Sequence, residues 1–361
     1  MKAPLRMWTL DRYLAVTVAQ SFFLALAILV SVFSVINASE ELQRVGTGQY
    51  GVREALWFVV LMLPNEVYGL FAAAALLGNV VGLGGLAHRN ELVAIAAAGV
   101  SRARIVCSIL GIAAVLALAG VLLSEFVAAP LAYRARTERS VALSNGLTRT
   151  MAGGVWTRAG SSFVNMRSLL PNGTARDIYV YDFDAQHRMR RFTHAQKASY
   201  SNRQWALEGL VDMVITEDGV ATERATAREV AIELTPRQLD LIRIPPEELS
   251  LSDLHRGIGA ARRQGESTEH LNLAWWQRGT MPIVTVVMVF LALTIALSAP
   301  RSVTLGRRII IGALLGIGFQ FVNQTFASFG LVYGLAPWVS AMLPTSLALA
   351  FGVWCLGRSV G

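Results

Sequence analysis

The sequence predicts an α-helical membrane protein: six transmembrane helices, three plus three, with an all-β, jelly-roll-like domain inserted between the halves. Three observations carry this. Uncharged or nearly uncharged runs fall at about 13–36, 56–83, 105–128, 281–299, 309–329 and 337–356. Each holds roughly the 20 apolar residues that cross ~30 Å of hydrocarbon at 1.5 Å per residue. Composition agrees, being 54% hydrophobic and only 16% charged, where ordinary soluble domains carry roughly 25% charge. Between the third and fourth runs, finally, the apolar period changes from helical to alternating. The expected organisation is spans one to three over residues 1–129, a β domain at 130–250, a helical connector at 251–280, and spans four to six over 281–361.

The first run is longer than the core of a secretory signal, and no small-residue cleavage site follows it, so it is expected to stay as a helix. The second carries Pro64-Asn65-Glu66, a kink signal about a third of the way along. Glu125 lies near the end of the third run, and Asn323 and Gln324 lie inside the fifth. Acids at such depth cost several kcal/mol when they face lipid. Two readings stay open: Asn65, Glu66, Asn323 and Gln324 face a wet or ligand-lined cavity, or Glu125 and Glu66 reach to the outer interface. Cys107 and Cys355 are the only cysteines and both lie in spans, so the insert has no disulfide framework and no cysteine-based metal or redox site.

Charge sets the orientation. The N-terminus, the loop after span two, the loop after span four and the C-terminal tail hold ten Lys and Arg, from Lys2 to Arg358. The alternate short loops hold two, Arg44 and Arg53. The positive-inside rule therefore puts both termini in the cytoplasm and the insert outside. The formal net charge of +8 is then mostly a matter of topology, and nucleic acid is not expected as a partner.

In the insert, segments at 162–166, 177–184, 197–207, 211–217 and 229–234 are rich in β-branched and aromatic residues. Pro171-Asn172-Gly173, Ser201-Asn202 and Asp218-Gly219 separate them as turn signals. Strands at this spacing without helical crossovers argue for a sandwich or jelly roll. Ser252 is expected to cap a helix running to about Gln264, broken by Gly265. Trp275 and Trp276 sit where an aromatic belt would hold span four. The histidines of the insert share no metal-type spacing, and no Gly-x-Ser-x-Gly elbow occurs. No phosphate-binding Gly-x-x-x-x-Gly-Lys loop occurs either, the only lysines being Lys2 and Lys197. No catalysis is expected, and no cofactor in this chain.

The cytoplasmic loop 88–99 is the most informative short segment. Asn90 is placed to cap a short helix, Glu91 favours its positive end, and Gly99 is a natural stop. Leu92, Ile95 and Ala96 are expected along one side. An interfacial connector seated in lipid and a docking helix for a soluble partner both fit that pattern.

Leu10-Asp11-Arg12-Tyr13, Leu76-Leu77-Gly78, Gly82-Leu83-Gly84, Arg89-Asn90-Glu91-Leu92-Val93, Pro300-Arg301-Ser302-Val303 and Leu331-Val332-Tyr333-Gly334 together resemble the LptF/LptG family of lipopolysaccharide-export ABC transporter permeases. The resemblance runs nearly the full length, and the G-type branch is the better match. It implies a paralogous F-type permease as partner, a dimeric cytoplasmic ATPase that binds ATP and Mg, and a single-span periplasmic LptC-like protein. It also implies a bacterial inner-membrane location with a periplasmic jelly roll. Arg89, Glu91, Leu92, Ile95 and Gly99 would then belong to a coupling helix seated in the ATPase. Family members place a basic residue near the outer end of span one against lipid phosphates. Asn37 is uncharged here, which makes Arg44, with Arg53 in reserve, the expected contact. An extraction path must be apolar along the acyl tails, since each CH₂ exposed to water costs ~0.8 kcal/mol. Phe22, Phe33, Leu70, Phe71, Phe319, Phe321 and Phe326 are the expected lining, opened to the bilayer between spans one and five.

Overall fold

A computed structural model describes residues 4–143, 149–159, 162–169, 174–184, 186, 188–201, 204–216, 219–230, 244–264, 267–298 and 305–360. The first half comprises α1 (Pro4–Leu42), α2 (Val52–Gly69), α3 (Phe71–His88), the short α4 (Glu91–Ala97), α5 (Arg102–Leu123) and α6 (Ala129–Leu143). A π-helical turn, Ser124–Ala128, joins α5 to α6 into one rod. After the insert come α7 (Leu251–Gln264), α8 (Glu269–Ser298), α9 (Leu305–Tyr333) and α10 (Pro337–Val360). Among the described residues, six helical stretches are long and apolar enough to cross a membrane, at Thr9–Leu42, Phe71–His88, Ala103–Leu143, Glu269–Ala296, Ile310–Tyr333 and Pro337–Gly357. These correspond to the six apolar runs. The second run is not one helix, however: Pro64 lies inside α2, and the chain breaks at Leu70 before restarting as α3.

α3 and α8 form the centre of the bundle, with α1, α5, α9 and α10 around them. Small residues set the closest approach. A methyl on Gly78 would run into the carbonyl of Ser21, and one on Gly82 into the Ser21 hydroxyl, so α1 crosses α3 at near backbone contact. This is the small-x-x-x-small packing that membrane helices use in place of a hydrophobic drive. The Gly78 and Gly82 of the family-like motif are thus helix-packing residues. Leu14, Val18 and Phe22 fill the α1 side of that seam, and Val284, Met288 and Leu291 meet it from α8.

Among the described residues the insert is one antiparallel sheet with its six strands in sequence order: β1 (Arg149–Ala159), β2 (Ser162–Leu169), β3 (Ala175–Phe183), β4 (Met189–Ser201), β5 (Gln204–Thr216) and β6 (Gly219–Val230). One face packs Val164, Met166, Ile178, Val180, Trp205 and Leu207, as alternation requires. The expected all-β insertion is present, with differences of detail. β1 was not expected, since its Gly153-Gly154 pair and register shift hide the alternation. The single strand expected at 197–207 is the end of β4 and the start of β5, paired across the hairpin from Tyr200 opposite Trp205. The segment expected at 211–217 is the far half of β5. Of 229–234, β6 includes the first two residues and the rest lie outside the described residues, as do Pro171-Asn172-Gly173, Gly265 and Pro300-Arg301-Ser302-Val303.

Candidate functional site

Helix α4 follows α3 at the end of the bundle away from the sheet. Asn90 precedes it in the left-handed conformation (φ 58°) and makes no side-chain cap, so the expected Asn90 cap is corrected: the residue serves as a turn. Gly99 does end the segment with φ +87°, a conformation that favours glycine. Ser101 then caps α5, its hydroxyl accepting from the Arg104 amide at 3.3 Å.

Leu92 is buried, and Ile95 packs against the bundle core. Ala96, expected beside them, instead points outward with Val93, Ala94 and Ala97. One face of α4 is therefore wedged into the bundle while an apolar face stands bare. Glu91 accepts a 2.5 Å hydrogen bond from the Tyr13 hydroxyl and lies 3.8 Å from the Arg89 guanidinium. Two residues away on α1, Asp11 meets Arg104 of α5 at 3.2 Å. The start of α1 is thus strapped to α4 itself and to the start of α5. Nothing in the local sequence identifies Glu91 as the partner of Tyr13, because 78 residues separate them.

The polar residues of the spans have separate surroundings. Glu66 accepts from the Ser34 hydroxyl at 2.8 Å and the Asn37 side-chain amide at 3.1 Å, both on α1. Asn37 is therefore engaged within the chain. Asn65 and Asn323 are half-buried and Gln324 is exposed, and no hydrogen bond links Glu66 to any of them among the described residues. Glu125 lies in the π-turn and accepts from the amides of Leu251 and Ser252 at 2.9 and 3.3 Å. It supplies acceptors for the first turn of α7. The cap from within that helix is Ser250, which accepts from the Asp253 amide at 3.0 Å, and not the expected Ser252.

Of the expected apolar lining, Phe71 is buried, edge-on to Phe22 with centroids 4.8 Å apart, and so belongs to the core. Leu70 and Phe319 are half-buried against the same core, and Phe326 is half-buried. Phe321 is 72% exposed and Phe33 43%. These exposed rings lie on α9 and α1, which both pack on α3. Only 11% of the apolar window of each of these helices is buried, against 67% for α8. Long uncovered apolar faces on α1 and α9 are therefore the main open surface of the bundle.

Near the sheet end, Arg44 is exposed, with its Nε 3.8 Å from Glu41. Arg53 lines an open groove of about 840 Å³ with Val52, Leu56, Trp57, Val60 and Glu138. Beside it lies a polar cluster that sequence reading passed over. Buried Glu41 accepts from Tyr50 at 2.8 Å and pairs with Arg139 at 2.5 Å, whose guanidinium sits 4.8 Å over the Phe58 ring. Burial, with the neighbouring Glu41 carboxylate, pushes the Tyr50 phenol well above its ordinary value.

Comparisons with known proteins agree on one family. The family model described as lipopolysaccharide export system permease LptF/LptG matches residues 12–358. The chain is 33% identical over 352 residues to the lipopolysaccharide export system permease protein LptG of Haemophilus influenzae, covering 97% of this chain and 98% of that protein. It is 29% identical over the same length to the protein of that name from Escherichia coli, with the same coverage. With the match running from the first span to the end of the last, the chain belongs to the LptF/LptG family of lipopolysaccharide export system permeases.

Proposed function

We propose that the chain is one permease subunit of an ATP-driven exporter that draws lipopolysaccharide from the outer leaflet of the bacterial inner membrane. The lipid then passes by way of the insert to a periplasmic bridge. Both termini and α4 face the cytoplasm, and the sheet stands in the periplasm, in keeping with the ten basic residues against two in the alternate short loops. The second half of the passage comes from a paralogous F-type permease, with a single-span LptC-like protein alongside. This chain supplies no catalysis; a dimeric cytoplasmic ATPase binds ATP and Mg.

The observation that carries this reading is α4, a helix with Leu92 and Ile95 seated in the bundle and an apolar outer face left bare. A lipid-seated connector has no need of the Tyr13–Glu91 and Asp11–Arg104 straps, whereas a foot that transmits force does. Arg89, Glu91, Leu92, Ile95 and Gly99 form that foot. The open faces of α1 and α9 are apolar enough to carry acyl chains, with Leu70, Phe319, Phe321 and Phe326 along the wall and Asn65, Glu66 and Asn323 as its polar points. Phe71 backs that wall from within. Arg44 and Arg53 offer exposed guanidiniums for lipid phosphates.

Glu91→Lys tests the reading. It brings a second cation beside Arg89 and removes the acceptor of Tyr13. The variant is expected to stay in the membrane and to lose co-purification of the ATPase; a complex with full lipid-stimulated ATPase activity refutes the docking role. A mass spectrum of lipid bound to the purified wild-type complex, expected to show lipopolysaccharide, checks the cargo.

A further inference from the structure

Of the return segment between β6 and α7, residues 244–250 are described, and together with the first two residues of α7 they are held by three separate groups. The Glu247 carbonyl accepts from Arg278 Nη1 at 2.8 Å. Both Glu248 carboxylate oxygens are gripped by the Arg136 guanidinium, through Nε at 2.9 Å and through Nη2. The amides of Leu251 and Ser252 donate to Glu125. Beneath the segment, Ile244, Leu249, Leu254 and Ala274 form a small apolar cluster of their own.

Arg278 is the centre of this joint. It stands on α8 and is only 6% exposed. Its Nε donates to the Ser124 hydroxyl at 2.9 Å and its Nη2 to the Ser124 carbonyl at 3.3 Å, while the guanidinium lies 5.0 Å over the Tyr68 ring. One side chain therefore ties α8, the α5–α6 rod and the return segment, with α2 stacked beneath it. Ser124 and Glu125 both lie in the π-turn. A π-turn inserts one residue into a helix and frequently occurs at functional positions; here it presents two consecutive residues to the joint. Each of the three guanidinium nitrogens meets a different acceptor or edge of the joint, a geometry that a planar fork satisfies and an ammonium does not.

We propose that Arg278 is a positioning residue for the handover of lipid from bundle to sheet: it locks the stem of the β insert to the spans, so that movement of the rod is transmitted to the sheet. The proposal rests on the transport reading above. It does not place Arg278 in contact with lipid.

The test uses the full complex in nanodiscs and the variant Arg278→Lys, which keeps the charge and removes the fork. Three quantities are read: photo-crosslinking of lipopolysaccharide to a probe at Phe321, ATP-dependent transfer of lipid to an added periplasmic acceptor, and the spin-label distance between Gln196 on β4 and Leu122 on α5, in a background lacking Cys107 and Cys355. Crosslinking within twofold of wild type, transfer down at least tenfold, and a broadened distance distribution are expected together. Glu125→Gln, which weakens the acceptor for two backbone amides, is expected to shift transfer and distance in the same direction by less, and gives the same reading should Arg278→Lys fail to accumulate. Unchanged transfer, an unchanged distance distribution, or an equal fall in crosslinking and transfer each overturns the proposal. If the wild type itself crosslinks no lipopolysaccharide, the transport reading fails; the distance measurement, which needs no lipid, still decides the joint.

Discussion

The α1–α3 crossing gives the sharpest prediction, because two glycines four residues apart, Gly78 and Gly82, both meet α1 more closely than a methyl allows. A Cβ at Gly78 would lie 2.8 Å from the Ser21 carbonyl carbon and 2.9 Å from the Phe22 Cα. Non-bonded carbons rest at about 3.5–4.0 Å. Both obstacles are backbone, so α1 itself must retreat by roughly 0.6–1.2 Å. That retreat opens the seam filled by Leu14, Val18 and Phe22, each fully buried. Overpacking of this kind costs about 1–3 kcal/mol. At Gly82 the Ser21 hydroxyl, which donates to the Thr17 carbonyl at 2.6 Å, can turn away, but the Ser21 Cβ would lie 2.7 Å from the new methyl and is fixed to the α1 backbone, so no rotamer relieves it. The cost there is of the same order as at Gly78, about 1–3 kcal/mol. Gly78→Ala and Gly82→Ala are therefore both expected to melt in detergent below Gly85→Ala, where a methyl on α3 meets nothing within 4 Å, each 1 kcal/mol amounting to about 2–4 °C. The assay is thermal unfolding followed by tryptophan fluorescence. Either variant melting together with Gly85→Ala refutes the claim that close contact with α1 sets this crossing.

Three further outcomes follow from the site. Arg44→Glu is expected to lower lipopolysaccharide crosslinking without loss of assembly, since its guanidinium is exposed and its only ion pair among the described residues is a long one to Glu41; an unchanged yield removes Arg44 from the path. Tyr13→Phe deletes the hydroxyl that holds Glu91. The ATPase should still co-purify while its stimulation by lipid falls severalfold, and unchanged stimulation in reconstituted complex counts against α1 as a transmitting element. Tyr50 has its phenol raised on folding, so its contribution to stability is complete below the ordinary tyrosine value of about 10 and is lost as pH rises through the higher folded value. Melting temperature should accordingly decline above pH 10 in the wild type, and Tyr50→Phe should flatten that decline; equal slopes in both proteins argue against it.

How much of this was legible beforehand differs from element to element. Each span announced itself, because a run of some 20 apolar residues has only lipid to dissolve it. The foot at 88–99 was legible for the same kind of local reason, a short amphipathic stretch ended by Gly99. The hairpin at 201–204 was blurred because the apolar and aromatic residues of β4 and β5 continue across it, and β1 was missed where Gly153-Gly154 interrupts its pattern. Among the polar residues, sequence reading correctly flagged Glu66 and Glu125 as needing a reason for their depth. It did not find one, since their partners are 29 and 126 residues away.

By itself, then, the order of residues determined that this chain crosses a membrane six times, which segments do so and where the β insert lies, since solvent preference and local periodicity depend only on neighbours along the chain. Tertiary structure alone decided which faces are covered. It buried Phe71, left Phe321 bare, paired Asn37 with Glu66, tied Tyr13 to Glu91 and gathered Arg278, Ser124 and Glu247 into one joint. Contacts of that kind join positions 29 to 154 residues apart, and they arise from the crossing of helices at small residues, which leaves no periodic trace in sequence.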